Sequence, residues 1–151
     1  IPSAIGLRFF TVYGPWGRPD MALFDFTNKI IKGESIDLFN NGDMIRDFTY
    51  VDDIVNGINI IVDFIERSMI VKEIYNIGNG RQVPLMEFVD NIEKQLDRKA
   101  IKNYVPKHPA DTQATWSDTT KIQALGYKAE TPIEEGVAKF IEWYKGYYNV
   151  N

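Results

Sequence analysis

The sequence predicts a single α/β unit. Short apolar runs alternate with amphipathic helical stretches along its 151 residues, 44% of them hydrophobic and 25% charged. No repeat with a period of roughly 20 to 50 residues and no Gly/Ser/Pro-rich linker divides it. Residues 1–151 are therefore read as one unit.

The first element is Ile5 to Tyr13, a mostly apolar run that reads as a buried strand. Neither an initiator Met nor a signal pattern precedes it, so the rest of a sheet is expected upstream. After the loop Gly14-Pro15-Trp16-Gly17-Arg18-Pro19, Asp20 is expected to cap a helix running to Gly33, with Leu23, Phe24, Thr27, Ile30 and Ile31 at helical spacing. Ile36–Phe39 and Arg46–Tyr50 read as a hairpin around Asn40–Asp43. Asp52 or Asp53 then caps a helix whose stripe is Ile54, Val55, Ile58, Ile61, Val62 and Ile65. Glu73–Ile77 is a strand, Pro84 starts a helix carrying Leu85, Phe88, Val89, Ile92 and Leu96, and Ile101–Val105 is a strand again. Pro106 to Thr115 is a loop, and Asp118 caps a short helix closed by Gly126. Thr131-Pro132-Ile133-Glu134 reads as a capping box for a last helix with Val137, Phe140, Ile141 and Tyr144 inward.

Composition excludes several functions. Seventeen basic against 21 acidic residues give a net charge of −4 with the cations dispersed, unlike a nucleic-acid footprint. No cysteine and a single histidine, His108, leave no thiolate nucleophile, disulfide or ordinary structural zinc site. No apolar run nears the roughly 20 residues of a membrane span, and with no signal pattern a cytoplasmic location is expected.

Two glycine-rich turns follow strands, but neither has dinucleotide spacing. Asp20 takes the third glycine's place in the first, and Val83 takes it after Gly78-Asn79-Gly80. Arg18, between Gly17 and Pro19 and just before a helix, can offer a planar fork to a carboxylate or phosphate; alternatively it is solvated or pairs with Asp20. Strand alternation places Arg46 with Phe48 and Tyr50 at a pocket rim, unless it is an edge charge paired with Asp47. Asp52 and Asp53 are adjacent and do not face one another, so capping accounts for both. Asp111 can accept ligand hydroxyls or simply form a turn, and His108 reads as a surface residue with no nucleophile near it. Of the three tryptophans, Trp16 is the one on a ligand-facing loop.

The runs Gly6 to Met21, Asn41 to Ile54, Tyr75 to Gly78 and Asp111 to Asp118 together resemble the C-terminal part of nucleotide-sugar epimerases, which are extended short-chain dehydrogenase/reductases. The string Gly14-Pro15-Trp16-Gly17-Arg18-Pro19-Asp20 is similar to UDP-glucuronate 4-epimerases in particular, while Arg46 to Asp53 is shared more widely. The resemblance implies a substrate-binding part beginning at a late strand of a Rossmann sheet. It implies that Arg46 grips a diphosphate, Leu38 and Phe39 line the uracil, Thr11 lies near the sugar, Arg18 holds a uronate carboxylate, and Asp111 lies over the nucleotide. The chain reads Pro109-Ala110-Asp111 where the family has Pro-Gly-Asp, with His108 in place of Gln or Arg.

NAD is the implied cofactor, held mainly by an N-terminal Gly-rich turn, with a Tyr-x-x-x-Lys pair as the proton-moving base. None of the eight tyrosines has Lys four places on; Tyr104 is followed there by His108. The resemblance thus implies interconversion of UDP-glucuronate and UDP-galacturonate by a homodimeric enzyme, with this chain alone inactive. A related dehydratase or decarboxylase, and a non-catalytic nucleotide-sugar-binding module, stand as alternatives.

Overall fold

Strand pairing is mostly parallel, which requires each strand to return through a long connection. In the computed structural model, which describes residues 3–68, 70–107 and 112–150, β1 (Ala4–Phe9) pairs with β6 (Lys72–Ile77), β2 (Thr11–Tyr13) with β5 (Phe48–Tyr50), and β3 (Ser35–Phe39) with β8 (Ile101–Val105). One pair, β4 (Ile45–Arg46) with β7 (Val83–Pro84), is antiparallel. The helices are α1 (Ala22–Lys32), α2 (Val51–Arg67), α3 (Leu85–Leu96), α4 (Thr120–Gln123) and α5 (Ile133–Tyr148).

The run expected as one strand, Ile5 to Tyr13, is two, because the chain changes partners at Phe10. β1 is in register with β6 from Ala4↔Lys72 to Phe9↔Ile77, and β2 with β5 from Thr11↔Phe48 to Tyr13↔Tyr50. Nor is β1 buried throughout: half-buried and exposed positions alternate along it.

The expected hairpin does not form. Ile36–Phe39 lies in β3 and joins β8, while Arg46–Tyr50 divides between β4 and β5. The intervening Asn40–Gly42 makes a 3-10 turn in which Asn40, Asn41 and Gly42 have φ of 49°, 54° and 80°. Despite that positive-φ turn, β3 and β4 find separate partners, β8 and β7.

Capping differs from expectation in the same way. Asp20 does not cap α1, whose N-cap is Met21. Neither Asp52 nor Asp53 caps α2; instead the buried Asp53 accepts the N–H groups of Glu130 at 3.0 Å and Thr131 at 3.2 Å, tying α2 to the entrance of α5. Thr131 is therefore no capping-box residue, and Pro132 is the N-cap of α5. Asp118 accepts the Thr120 N–H at 3.0 Å, but the N-cap of α4 is Thr119 and the helix ends at Gln123, short of the expected close at Gly126.

Apolar faces explain why these helices stay where they are. α1 buries Leu23, Phe26 and Ile30 and ends at Gly33, whose φ of 71° suits a residue without a Cβ. α3 buries Phe88, Val89 and Ile92, and α5 buries Val137, Phe140, Ile141 and Tyr144. In α2, Ile54 and Ile61 are buried, but Val55 and Val62, each one residue round the helix from them, are 48% and 46% exposed. Phe48 of β5 stacks on Phe88 of α3 with centroids 3.9 Å apart and planes at 2°, a contact worth about 0.5–1.5 kcal/mol beyond its burial. That stack fixes β5 against α3 at the wall of the principal cleft.

Candidate functional site

Where β2, the start of α1, the end of β3 and β4 meet, they enclose a cleft of about 630 Å³. Thr11, Met21, Phe39, Arg46 and Phe48 are among the residues that line it. The position of each follows from its element. Alternation along β3 sends Phe39 outward, 46% exposed, and buries Leu38 completely. Leu38 therefore offers no side chain to the cleft, and of the expected Leu38–Phe39 pair only Phe39 lines it.

Arg46 stands at the end of β4, where its Nη1 donates to the Ile45 carbonyl at 2.8 Å and to the Gln113 carbonyl at 3.2 Å. The alternative pairing with Asp47 does not form. Asp47 is fully buried and accepts from Thr49, Asn79, Gly80 and Ser117 instead. Arg46 has no carboxylate partner among the described residues, whereas Lys29 at the same cleft is bound to Asp25 at 2.9 Å.

Arg18 does not reach the large cleft. It borders a small adjoining hollow and an outer groove on the Trp16 side. Thr11, Met21, Ala22 and Phe48 form the wall common to hollow and cleft, so Arg18 and Arg46 flank one partition. The pairing with Asp20 is present: Arg18 Nε donates to Asp20 Oδ1 at 3.0 Å, and Nη2 donates to Oδ2. That hydrogen bonding raises the guanidinium pKa further and holds the Asp20 carboxyl below its ordinary value. Trp16, 73% exposed at φ 62°, packs on Trp143 and Tyr147 of α5 with centroids 5.1 Å away in each case, which ties the loop carrying Arg18 to the last helix. His108 and Asp111 lie outside the described residues.

Sequence reasoning missed Asp47 and treated it only as a charge beside Arg46. An Asp between two short strand runs, beside Phe48 and with the Thr49 hydroxyl two places on, is the available signal. Met44, Phe26 and Leu85, which add apolar lining, were also missed. Of the three, only Leu85 carries a sequence reading, on the apolar face of the helix that Pro84 starts.

NAD binds through its diphosphate, which requires free backbone N–H groups at a glycine-rich turn. In Gly78-Asn79-Gly80 the N–H groups of Asn79 and Gly80 each donate to Asp47 at 2.9 Å. A Cβ at Gly78 would collide with the Ser117 hydroxyl and stand 2.8 Å from its Cβ, so this glycine serves close packing. In the first turn the Gly17 N–H donates to the Gly14 carbonyl at 3.2 Å. Neither turn fits a dinucleotide.

No helix among the described residues is long and apolar enough to cross a membrane. The chain is 46% identical to Protein CapI of Staphylococcus aureus over 95% of its length, covering 47% of that protein. It is 45% identical to UDP-glucuronate 4-epimerase 5 of Arabidopsis thaliana over 97% of its length, covering 37% of that protein. The solved UDP-glucuronic acid 4-epimerase from Bacillus cereus, in complex with UDP-glucuronic acid and NAD, superposes with a TM-score of 0.86 at 31% identity, over 94% of this chain and 45% of that one. The chain thus spans about half, or less, of the length of these relatives. Residues 3–78 match the model of the NAD dependent epimerase/dehydratase family. With that match covering half of the sequence and the α/β arrangement shared with a solved epimerase, the chain belongs to the NAD dependent epimerase/dehydratase family.

Proposed function

We propose that this chain is the C-terminal, substrate-binding part of an NAD-dependent enzyme that inverts C4 of UDP-glucuronate to give UDP-galacturonate. The observation that carries the reading is the meeting of Thr11, Phe39 and Arg46, far apart in sequence, on a cleft of about 630 Å³, within the roughly 300–1,000 Å³ of small-molecule sites. Similarity to UDP-glucuronate 4-epimerases supports the choice of sugar.

In this reading each residue acts by its own chemistry. The exposed ring of Phe39 gives a flat apolar face for the uracil. Arg46, held by two carbonyls and unpaired with any carboxylate among the described residues, meets the diphosphate. Thr11, on the shared wall, offers a hydroxyl to the sugar. Arg18 exchanges Asp20 for the uronate carboxylate, an anchor that does not involve the C4 centre and that discriminates against neutral hexoses. NAD, when bound, supplies the hydride acceptor and donor at C4. The residues that hold it and the base that moves the C4 hydroxyl proton belong to a part outside this sequence. Tyr13 and Tyr127 are no substitutes for that base, because burial above all, and then the nearby charge of Asp53, pushes both phenols far above their ordinary range.

Incubating the isolated 151-residue chain with NAD and UDP-glucuronate tests the assignment of parts. No inversion at C4 is expected. Turnover would show that the hydride and proton machinery lies within this chain and overturn the reading.

A further inference from the structure

We infer that Asp47 is a positioning residue for the diphosphate-binding Arg46, acting through Ser117 and the segment that leads to it; the inference rests on the cleft reading above. Asp47 has no exposed surface and touches no part of the cleft. Its carboxylate nonetheless gathers three separate stretches of chain. Oδ1 accepts from the Thr49 hydroxyl at 3.0 Å and the Asn79 N–H at 2.9 Å. Oδ2 accepts from the Gly80 N–H and the Ser117 N–H, each at 2.9 Å, and from the Ser117 hydroxyl.

Ser117 is the link that matters for function. The segment just before it runs alongside β4: the Ile45 N–H donates to Gln113 at 2.9 Å, and the Thr115 N–H donates back to Ile45 at 3.1 Å. The Gln113 carbonyl that receives Ile45 also receives Arg46 Nη1, and the Gln113 side chain donates to Asp43 at 2.9 Å. Asp47 thus anchors the far end of the strip against which the guanidinium rests. A long cation on a half-exposed strand end loses rotamer freedom when it grips an anion, and a fixed pair of carbonyls removes much of that loss beforehand. Close packing reinforces the anchor, since Gly78 leaves no room beside Ser117 and Asp47 for any side chain.

A merely structural role for Asp47 would weaken every ligand alike, whereas a positioning role falls on phosphates. The test is calorimetry on the full-length protein carrying this chain, with UDP and uridine as paired probes, for the unaltered protein, Ser117→Ala, Asp47→Asn and Arg46→Met. Asp47→Asn turns an amide NH₂ toward N–H donors and can fail to fold. Ser117→Ala removes one hydroxyl, keeps its backbone N–H, and decides the matter alone in that case.

The expected result for Ser117→Ala is UDP affinity lower by about fivefold, the equivalent of one ordinary hydrogen bond, with uridine affinity unchanged. Adding Ser117→Ala to Arg46→Met should then cost UDP nothing more. Equal losses for UDP and uridine, no loss for either, or a Ser117→Ala effect undiminished in the Arg46→Met background would each overturn the inference. If Arg46→Met itself leaves the ratio of UDP to uridine affinity unchanged, the cleft reading fails, an outcome distinct from failure of the positioning role alone.

Discussion

The carboxylate of Asp20 lies in the fork of Arg18, with Arg18 Nε donating to Asp20 Oδ1 at 3.0 Å. The loop that brings them together is tied to α5 through Trp16, packed against Trp143 and Tyr147. A carboxylate of the chain itself therefore occupies the guanidinium to which we assign the uronate.

Removing that internal competitor should favour the uronate selectively. Asp20→Asn is expected to strengthen binding of UDP-glucuronate by about twofold to fivefold, the scale of an exposed ion pair, and to change UDP-glucose much less. Both sugar nucleotides carry the same diphosphate, so the ratio isolates the carboxylate. Calorimetry on the full-length protein measures it, and equal changes for the two would remove Asp20 from the selectivity account.

Glu93 yields a pH prediction. Its carboxylate is 2% exposed and accepts from Lys99 and Lys102, each at 2.6 Å, and from the Ala100 N–H at 3.0 Å, fastening the end of α3 to β8. Burial pushes its pKa up, but the bonds from Lys102, Lys99 and Ala100 outweigh it and bring the pKa down to about 2 from an ordinary 4.5. A carboxyl depressed in the folded state stabilises fully above its unfolded pKa and loses that contribution as pH falls toward the folded one. Glu93→Gln should therefore be less stable than the unaltered protein at neutral pH by on the order of 2 kcal/mol. The gap should narrow from about pH 5 downward. Urea-unfolding midpoints across that range check it, and a gap independent of pH would contradict it.

Gly136 sits on α5 where a Cβ would run into the hydroxyl of Tyr13 and lie 2.8 Å from two of its ring atoms. Gly136→Ala should lower stability by about 1–3 kcal/mol through overpacking, and Tyr13→Phe in the same protein should recover part of it. Since β2 carries both Tyr13 and Thr11, the same substitution should also weaken substrate binding. A thermal midpoint unmoved by Gly136→Ala would show that α5 is not seated on β2 this closely.

The helices were legible because burial of one face follows from spacing alone, as in Phe140, Ile141 and Tyr144, and because Gly33 marks an end that favours glycine. Strand partners were not. Period-two patterning says which face of Ile36–Phe39 is inward but nothing about whether the neighbour is Arg46 or Ile101. Carboxylates misled for a related reason. Asp53 looks like a helix cap until folding brings Thr131 within reach, and that tertiary partner outcompetes the local one, while Asp20 is taken by Arg18 two residues before it. Of the residues that the resemblance names, Arg46, Thr11 and Phe39 line the cleft, while alternation along β3 buries Leu38 away from it. Asp47 stayed hidden because its partners Asn79, Gly80 and Ser117 are 32, 33 and 70 residues away.

Proton NMR of the full-length protein incubated with NAD and UDP-glucuronate, beside its Arg18→Met variant, tests the proposed reaction and the role of Arg18 together. UDP-galacturonate with no net NADH is the expected result. In the variant, preference for the uronate over UDP-glucose, read as the ratio of kcat/KM, should fall by about tenfold to a hundredfold. Release of carbon dioxide, loss of a sugar hydroxyl, or a variant as uronate-selective as the unaltered protein would contradict it.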